Sequence, residues 1–225
     1  MGARRGGTQK IPRPPTIRLG APAAWAGLDP DAVRLPLAEV RRRCLAFPAP
    51  PAPPGIHGEQ AAAAVLVPLF EAGGETRVVL TRRPDTMPSH RGDVAFPGGK
   101  VHPEIDPTLR HAALREAEEE VGLPPSAVEV VAELETIATV TSRFFVAPFV
   151  GVVERLPELR PDPREVERLF DVSLSELMAE GVHRVEHWGT GVLTRDVHIF
   201  ELEDETVWGL TARILSGFLT LLTGI

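Results

Sequence analysis

Two periodicities divide this chain. Short apolar runs bounded by turn residues recur from residue 62 to residue 201, and each reads as a strand. Ala62 to Phe70 and Arg77 to Thr81 are joined by the turn signal Gly73-Gly74. Val94 to Phe96 is a short strand running into paired glycines, and Val128 to Leu134, Ile137 to Val140 and Phe144 to Val153 follow. Asp196 to Glu201 and a strand near Trp188 suggest a further hairpin. Helical spacing governs two longer segments. In the first, Leu114, Ala117 and Val121 recur at i, i+3 and i+7. Asp106-Pro107 reads as its N-cap and first residue, and Gly122 followed by Pro124 and Pro125 as its stop. The second is an apolar helix over Thr211 to Leu222. Shorter helices are expected over Pro36 to Leu45 and, capped by Ser173, over Leu174 to Ala179. Strands dominate around two main helices, which predicts an α+β fold without internal repeats.

Outside these elements, residues 1 to about 30 are rich in Gly and Pro, lack periodicity, and are expected to be loosely held. Phe47 to Gly55 reads as an extended proline-rich spacer. Residues 1–55 are thus expected to form an N-terminal extension with a short helix, and 56–225 the main domain.

The polar side of the first main helix carries the most specific chemistry. Glu116, Glu119 and Glu120 stand at i, i+3 and i+4 and share a helix face, opposite the apolar stripe on a helical wheel. Three adjacent carboxylates repel, unless a hard divalent cation such as Mg²⁺ or Mn²⁺ binds their oxygens. The bland alternative is a solvated acidic surface. Two neighbours weigh against it. Arg115 lies four residues before Glu119 and can brace a carboxylate. Upstream, Phe96-Pro97-Gly98-Gly99-Lys100 permits close backbone approach and could supply a main-chain oxygen.

Composition narrows the function. With 43% hydrophobic residues the chain can bury a sizeable core. Its net charge of −7 argues against a nucleic-acid partner. Cys44 is the only cysteine, so no intrachain disulfide forms; it reads as a small buried apolar side chain rather than a reactive thiol. There is no apolar run long enough for a transmembrane helix and no secretory signal, so a cytoplasmic location and no membrane partner are expected.

Gly98-Gly99, a spacer, and then Arg115-Glu116-Ala117-Glu118-Glu119-Glu120-Val121-Gly122-Leu123 resemble the Nudix box, in which Arg-Glu-apolar-any-Glu-Glu-any-Gly-apolar follows a glycine and an earlier Glu. The second half matches at every fixed position. Fifteen residues separate Gly99 from Arg115, two more than in the basic pattern, and Pro107 stands where that pattern has Glu. Asp106 or Glu104 is the nearest acidic substitute. The resemblance implies an α/β/α sandwich around a mixed sheet, and hydrolysis of a nucleoside diphosphate linked to another group. It implies Glu116, Glu119 and Glu120 as ligands to Mg²⁺ or Mn²⁺, with Gly99 (or Gly98) offering a main-chain oxygen. Arg115 would orient the carboxylates. The general base would be one of these glutamates or a distant one, for which Glu165 in Arg164-Glu165-Val166 is the best candidate; its plain alternative is an exposed surface residue.

Leu80-Thr81-Arg82-Arg83 and His90-Arg91-Gly92-Asp93-Val94-Ala95-Phe96-Pro97-Gly98-Gly99 are similar to the signature of the coenzyme A diphosphatase branch of that family. Pro84 replaces its Ser, and Pro88 its Arg before the histidine. Val207-Trp208-Gly209-Leu210-Thr211-Ala212 resembles the branch's last-helix segment. This implies coenzyme A or its thioesters as substrate, with Arg83 and His90 as phosphate contacts. Other substrates, ADP-ribose or NADH among them, and a non-catalytic nucleotide-binding module are the alternatives; a homodimer is left open. Trp208 is expected in the core, and His183, His187 and His198 at the surface or in hairpin packing.

Overall fold

The computed structural model describes residues 5–51, 62–138, 145–191 and 194–224. A mixed sheet lies at its centre. Strand β2 (Ala62–Ala72) pairs antiparallel with β3 (Glu75–Arg82) across the Gly73-Gly74 turn. Strand β4 (Val94–Ala95) pairs with the end of β3, and β5 (Gly98–Lys100) lies antiparallel to the start of β2. Strand β6 (Glu129–Glu133) and β7 (Ile137–Ala138) both pair with β8 (Phe145–Val152), which runs parallel to β2. Strand β9 (Arg168–Ser173) is antiparallel to β3. The expected strand residues 139, 140 and 144, and spacer residues 52–55, lie outside the described residues.

Alternation along these strands builds a core on each face of the sheet. Val67 and Leu69 of β2 with Val78 and Leu80 of β3 face one cluster; Leu66 and Phe70 with Val79 face the other. Helix α2 (Leu109–Val121) covers the second face through Ala112, Ala113, Ala117 and Val121. Helices α1 (Leu37–Cys44) and α4 (Gly209–Thr223) cover the first. The result is the expected α+β, α/β/α sandwich. Cys44 is buried there. Short α3 (Leu174–Leu177) is capped by Ser173, whose Oγ accepts from Glu176 N at 3.1 Å.

The N-terminal segment departs from expectation. Strand β1 (Ile17–Leu19) pairs with β10 (His183–Trp188), which continues through β11 (Arg195–Glu201) to β12 (Thr206–Trp208) in a second, antiparallel four-stranded sheet. Residues 5–30 are therefore not loosely held. Trp25 is buried against His183 and Phe200. Buried Glu186 draws Arg13 Nε to 3.2 Å, and Gln9 Nε2 donates to buried Glu205. Burying these acids demands partners, and the N-terminal segment supplies them. The expected hairpin packing of the histidines holds: His183 Nε2 and His198 Nδ1 are 3.2 Å apart, and His187 Nδ1 meets Asp196 Oδ1 at 2.5 Å.

Helix α2 also starts later than expected. Thr108, not Asp106, is the N-cap, and its Oγ1 accepts from His111 N at 3.1 Å. Asp106 is drawn instead into an ion pair with Arg115. At the other end Gly122 takes φ 70°, the left-handed cap expected of it.

Candidate active site

Helix α2 leans on β2 and β5 through Ala113 and Ala117, which tucks the neighbouring Glu116 and Glu120 under the glycines. The acidic face is therefore not opposite the apolar stripe; it adjoins it, because the sheet contact is centred one step around the helix from Leu114. Glu120 is 6% exposed, and Gly98 N donates to its Oε2 at 3.0 Å. Gly98 has φ 152°, and a Cβ there would collide with the carbonyl of Ala64; a Cβ on Gly99 would collide with the Glu116 carboxylate. The paired glycines thus allow two carboxylates to reach the sheet backbone.

Arg115 is the hub beneath them. Its Nε and Nη2 grip Asp106 at 3.0 and 2.9 Å, Nη2 lies 2.8 Å from Glu116 Oε1, and Nη1 donates to Glu119 Oε2 at 2.8 Å. Nη2 also donates to the carbonyl of Lys100, in β5, at 3.2 Å. The Arg115 contact holds the Asp106 carboxyl well below the usual carboxylate range. Of the two acids near the missing Glu, Asp106 is buried and paired, whereas Glu104 is exposed.

A cavity of 510 Å³ opens beside this face. Glu116, Glu120, Gly99, Arg83, His90 and Glu165 all line it, so residues spread from 83 to 165 in sequence converge there. Burial first, then the nearby Glu165 and Glu116 charges, push Glu120 up to about 8, against the opposing pull of Gly98 N–H and Arg83. Burial also raises Glu116, partly offset by Arg115. Arg83 Nε is buried without a hydrogen-bond partner among the described residues, a donor aimed at no protein acceptor. His90 takes φ 54° at the rim, and its Nδ1 lies 3.1 Å from Asp93 Oδ2. Two expected residues do not line the cleft: Arg115, beneath it, and Glu119, whose side chain is 60% exposed and tied to Arg115.

Two further residues belong to this site. Trp208, expected in the core, is the N-cap of α4 and half-buried at the cleft wall; its Nε1 donates to Asp93 Oδ1 at 2.9 Å while its ring stacks on Trp188. An indole N–H needs an acceptor, which keeps it at the edge of the core. Asp93 therefore ties the His90 loop to α4. Nothing in its sequence surroundings marks it for that role.

The donor set suits a hard cation. Glu116, Glu120 and Glu165 offer only oxygens, their mutual repulsion would be relieved by positive charge, and the backbone at Gly99 adjoins Glu116. Among the described residues, no three His, Cys, Asp or Glu side chains already converge on a single metal position.

Residues 60–189 match the NUDIX domain model. Over 153 residues the chain is 39% identical to the uncharacterized Nudix hydrolase NudL of Yersinia enterocolitica, covering 68% of this chain and 77% of that protein. It is 40% identical over 160 residues to the chloroplastic Nudix hydrolase 22 of Arabidopsis thaliana, covering 68% of this chain but only 52% of that protein's length. Among solved structures, a MutT/nudix family protein from Enterococcus faecalis aligns with TM-score 0.48 and 15% identity, over 84% of this chain and 75% of that one. With a complete Arg-Glu-Ala-Glu-Glu-Glu-Val-Gly-Leu helix set beside paired glycines, and a family match over more than half its length, the chain belongs to the Nudix hydrolases.

Proposed function

We propose that this protein hydrolyses the diphosphate bond of coenzyme A or its thioesters, releasing 3′,5′-ADP and phosphopantetheine or its acylated form. One observation carries the reading. Two segments that resemble the coenzyme A branch, about residues 80–99 and 207–212, meet on the same cavity as Glu116 and Glu120, through Arg83, His90, Trp208 and Thr211. The two departures from the branch signature, Pro84 and Pro88, are not among the residues lining that cavity.

Nudix hydrolases use divalent cations. Glu116 and Glu120, with the Gly99 carbonyl, are the residues we assign to holding Mg²⁺ or Mn²⁺; Glu119 would join them only on leaving Arg115. When bound, the ion neutralises phosphate charge and makes water more acidic. The protein's own groups do the rest. Arg83 presents its unpartnered Nε, and the cationic guanidinium suits a phosphoryl oxygen. Arg115 holds Glu116 and Glu119 in place without touching substrate. Glu165, exposed at the cleft, accepts the proton of the attacking water. Attack at phosphorus forms one P–O bond and breaks the anhydride P–O bond, and the leaving phosphate carries the electron pair away.

The test is product analysis with purified protein, Mg²⁺ or Mn²⁺, and coenzyme A, with ADP-ribose and NADH in parallel and Glu119→Gln and Glu120→Gln as controls. The reading expects 3′,5′-ADP to form fastest from coenzyme A and to fall away in Glu120→Gln. Faster hydrolysis of ADP-ribose or NADH would overturn the substrate, and no hydrolysis of any would favour a binding module.

A further inference from the structure

One stripe of α4 runs out of the cleft into a second cavity. Leu210, Ile214, Gly217 and Leu221 stand at i, i+4, i+7 and i+11 and so share a helix face. Leu210 and Ile214 line the cleft that holds Glu116 and Glu120. Ile214, Gly217 and Leu221 line a neighbouring cavity of 440 Å³, whose other side is formed by Pro48, Pro50 and Pro51. Ile214 thus belongs to both. The opposite wall is continuous as well, because Val146 of the cleft is the β-register partner of Ile137 in the second cavity.

The lining indicates what it takes. Leu134, Ile137 and Phe218 make it largely apolar, and its charged or ionisable side chains are Glu133, Glu135, Arg213 and His198. Glu133 and Glu135 outnumber the one arginine, Arg213, and the apolar walls offer a phosphate-bearing group little to replace its hydration. An uncharged arm meets no such cost. Gly217 leaves a trough in the helix surface: a Cβ there would meet no heavy atom within 4 Å. Leu221, at the far end, is 39% exposed. At ~1.5 Å per helical residue, Leu210 and Leu221 lie about 16 Å apart along the axis. A phosphopantetheine arm is about four residues long, or roughly 14 Å when extended at ~3.5 Å per residue.

We propose that this face of α4, with the Pro48–Pro51 wall, is a groove for the pantetheine arm of the substrate, seating the thioester's acyl chain between Gly217 and Leu221. The proposal rests on the coenzyme A reading above, and two of the walls it assigns to an acylated substrate, α4 and Pro48–Pro51, lie outside the matched domain at 60–189.

The test measures kcat/KM for 3′,5′-ADP release from coenzyme A and from its acetyl, hexanoyl and decanoyl thioesters, using the wild type, Gly217→Trp, Gly217→Leu and Gly217→Ala. A buried methylene gains up to roughly fourfold. The wild type is therefore expected to prefer decanoyl over acetyl thioester by at least about tenfold, chiefly through KM. Gly217→Trp fills the trough and flattens the series, Gly217→Leu flattens it in part, and Gly217→Ala preserves it. Should the Trp variant fail to fold, the Leu and Ala variants carry the same comparison. A flat wild-type series, or a Leu variant with an undiminished rise, overturns the groove while leaving the coenzyme A reading intact. Absence of 3′,5′-ADP from every thioester overturns both.

Discussion

Asp106 and Glu120 lie one ahead of α2 and one within it, both buried, and they are treated in opposite ways. Asp106 is gripped by two nitrogens of Arg115 and touched by His111 Nδ1 at 2.9 Å, so its carboxyl is held low. Glu120 receives one backbone N–H, faces two other carboxylates, and is pushed up to about 8. Glu186, in the second sheet, resembles Asp106. Burial alone would raise it, yet Trp188 Nε1 and Arg184 Nε, at 2.9 and 3.0 Å, more than offset that and leave it lowered. Where a buried acid is paired, the fold uses it as a fastener. Where buried acids are gathered without enough partners, the missing charge is left for something that binds.

The comparison is broken most decisively by exchanging one acid of each kind. Glu120→Gln is expected to cut hydrolysis by roughly 10²–10³-fold, the scale of losing a group that stabilises transition-state charge. In metal-free buffer its melting temperature should not fall, because a carboxyl pushed up to about 8 is already largely neutral near pH 7, and the amide oxygen of Gln can still accept from Gly98 N. Steady-state rates beside a thermal melt check both. Asp106→Asn is expected to behave the other way. Removing the buried charge that two Arg115 nitrogens grip costs about 3 kcal/mol, which in a chain of this size lowers the melting temperature by roughly 10 °C. Activity falls less, to the extent that Arg115 then releases Glu116.

A smaller effect comes from the half-buried His183. Burial first, then His198 and Arg184, lower His183 to about 4. In the unfolded chain a histidine titrates near ~6.5, so between about 4 and 6.5 the unfolded state binds the extra proton. The stability contributed by neutral His183 is complete above that window and is lost as pH falls through it. Melting at pH 5.5 should lie below melting at pH 7.5, and His183→Phe, set against the Trp25 and Phe200 rings, should shrink the difference. The smallest effect is chemical. Burial pushes the Cys44 thiol up to about 12, so a thiol reagent at pH 8 should leave the folded protein unlabelled and modify it only after denaturation.

Much of this site was legible in sequence because its signals are local. Three glutamates at helical spacing, a bracing Arg115 and the Gly122 stop lie within eight consecutive residues, and the paired glycines mark themselves as a local turn signal ahead of that helix. Glu165, Arg83 and His90 reached the site by resemblance, since no local rule brings residues 83 and 165 together. What stayed hidden is non-local. Ile17–Leu19 is an exposed three-residue strand in a Gly- and Pro-rich stretch, and only its register with Glu186–Trp188 makes it part of a sheet. The start of α2 was misplaced because Asp106-Pro107 is a stronger capping signal than Thr108, and the Arg115 contact that claims Asp106 comes from the next turns of the helix. Asp93 carries no signal, since its task is set by Trp208, distant in sequence.

The central claim is that the crowded carboxylates of the cleft, not the paired ones, drive hydrolysis of coenzyme A. Its most direct measurement is the rate of 3′,5′-ADP release from coenzyme A with Mg²⁺ or Mn²⁺ by wild type and Glu120→Gln, with folding of both confirmed by thermal melt. The account predicts release by the wild type and loss of at least about a hundredfold in a folded variant. Undiminished release by folded Glu120→Gln, or no release by the wild type, would contradict it.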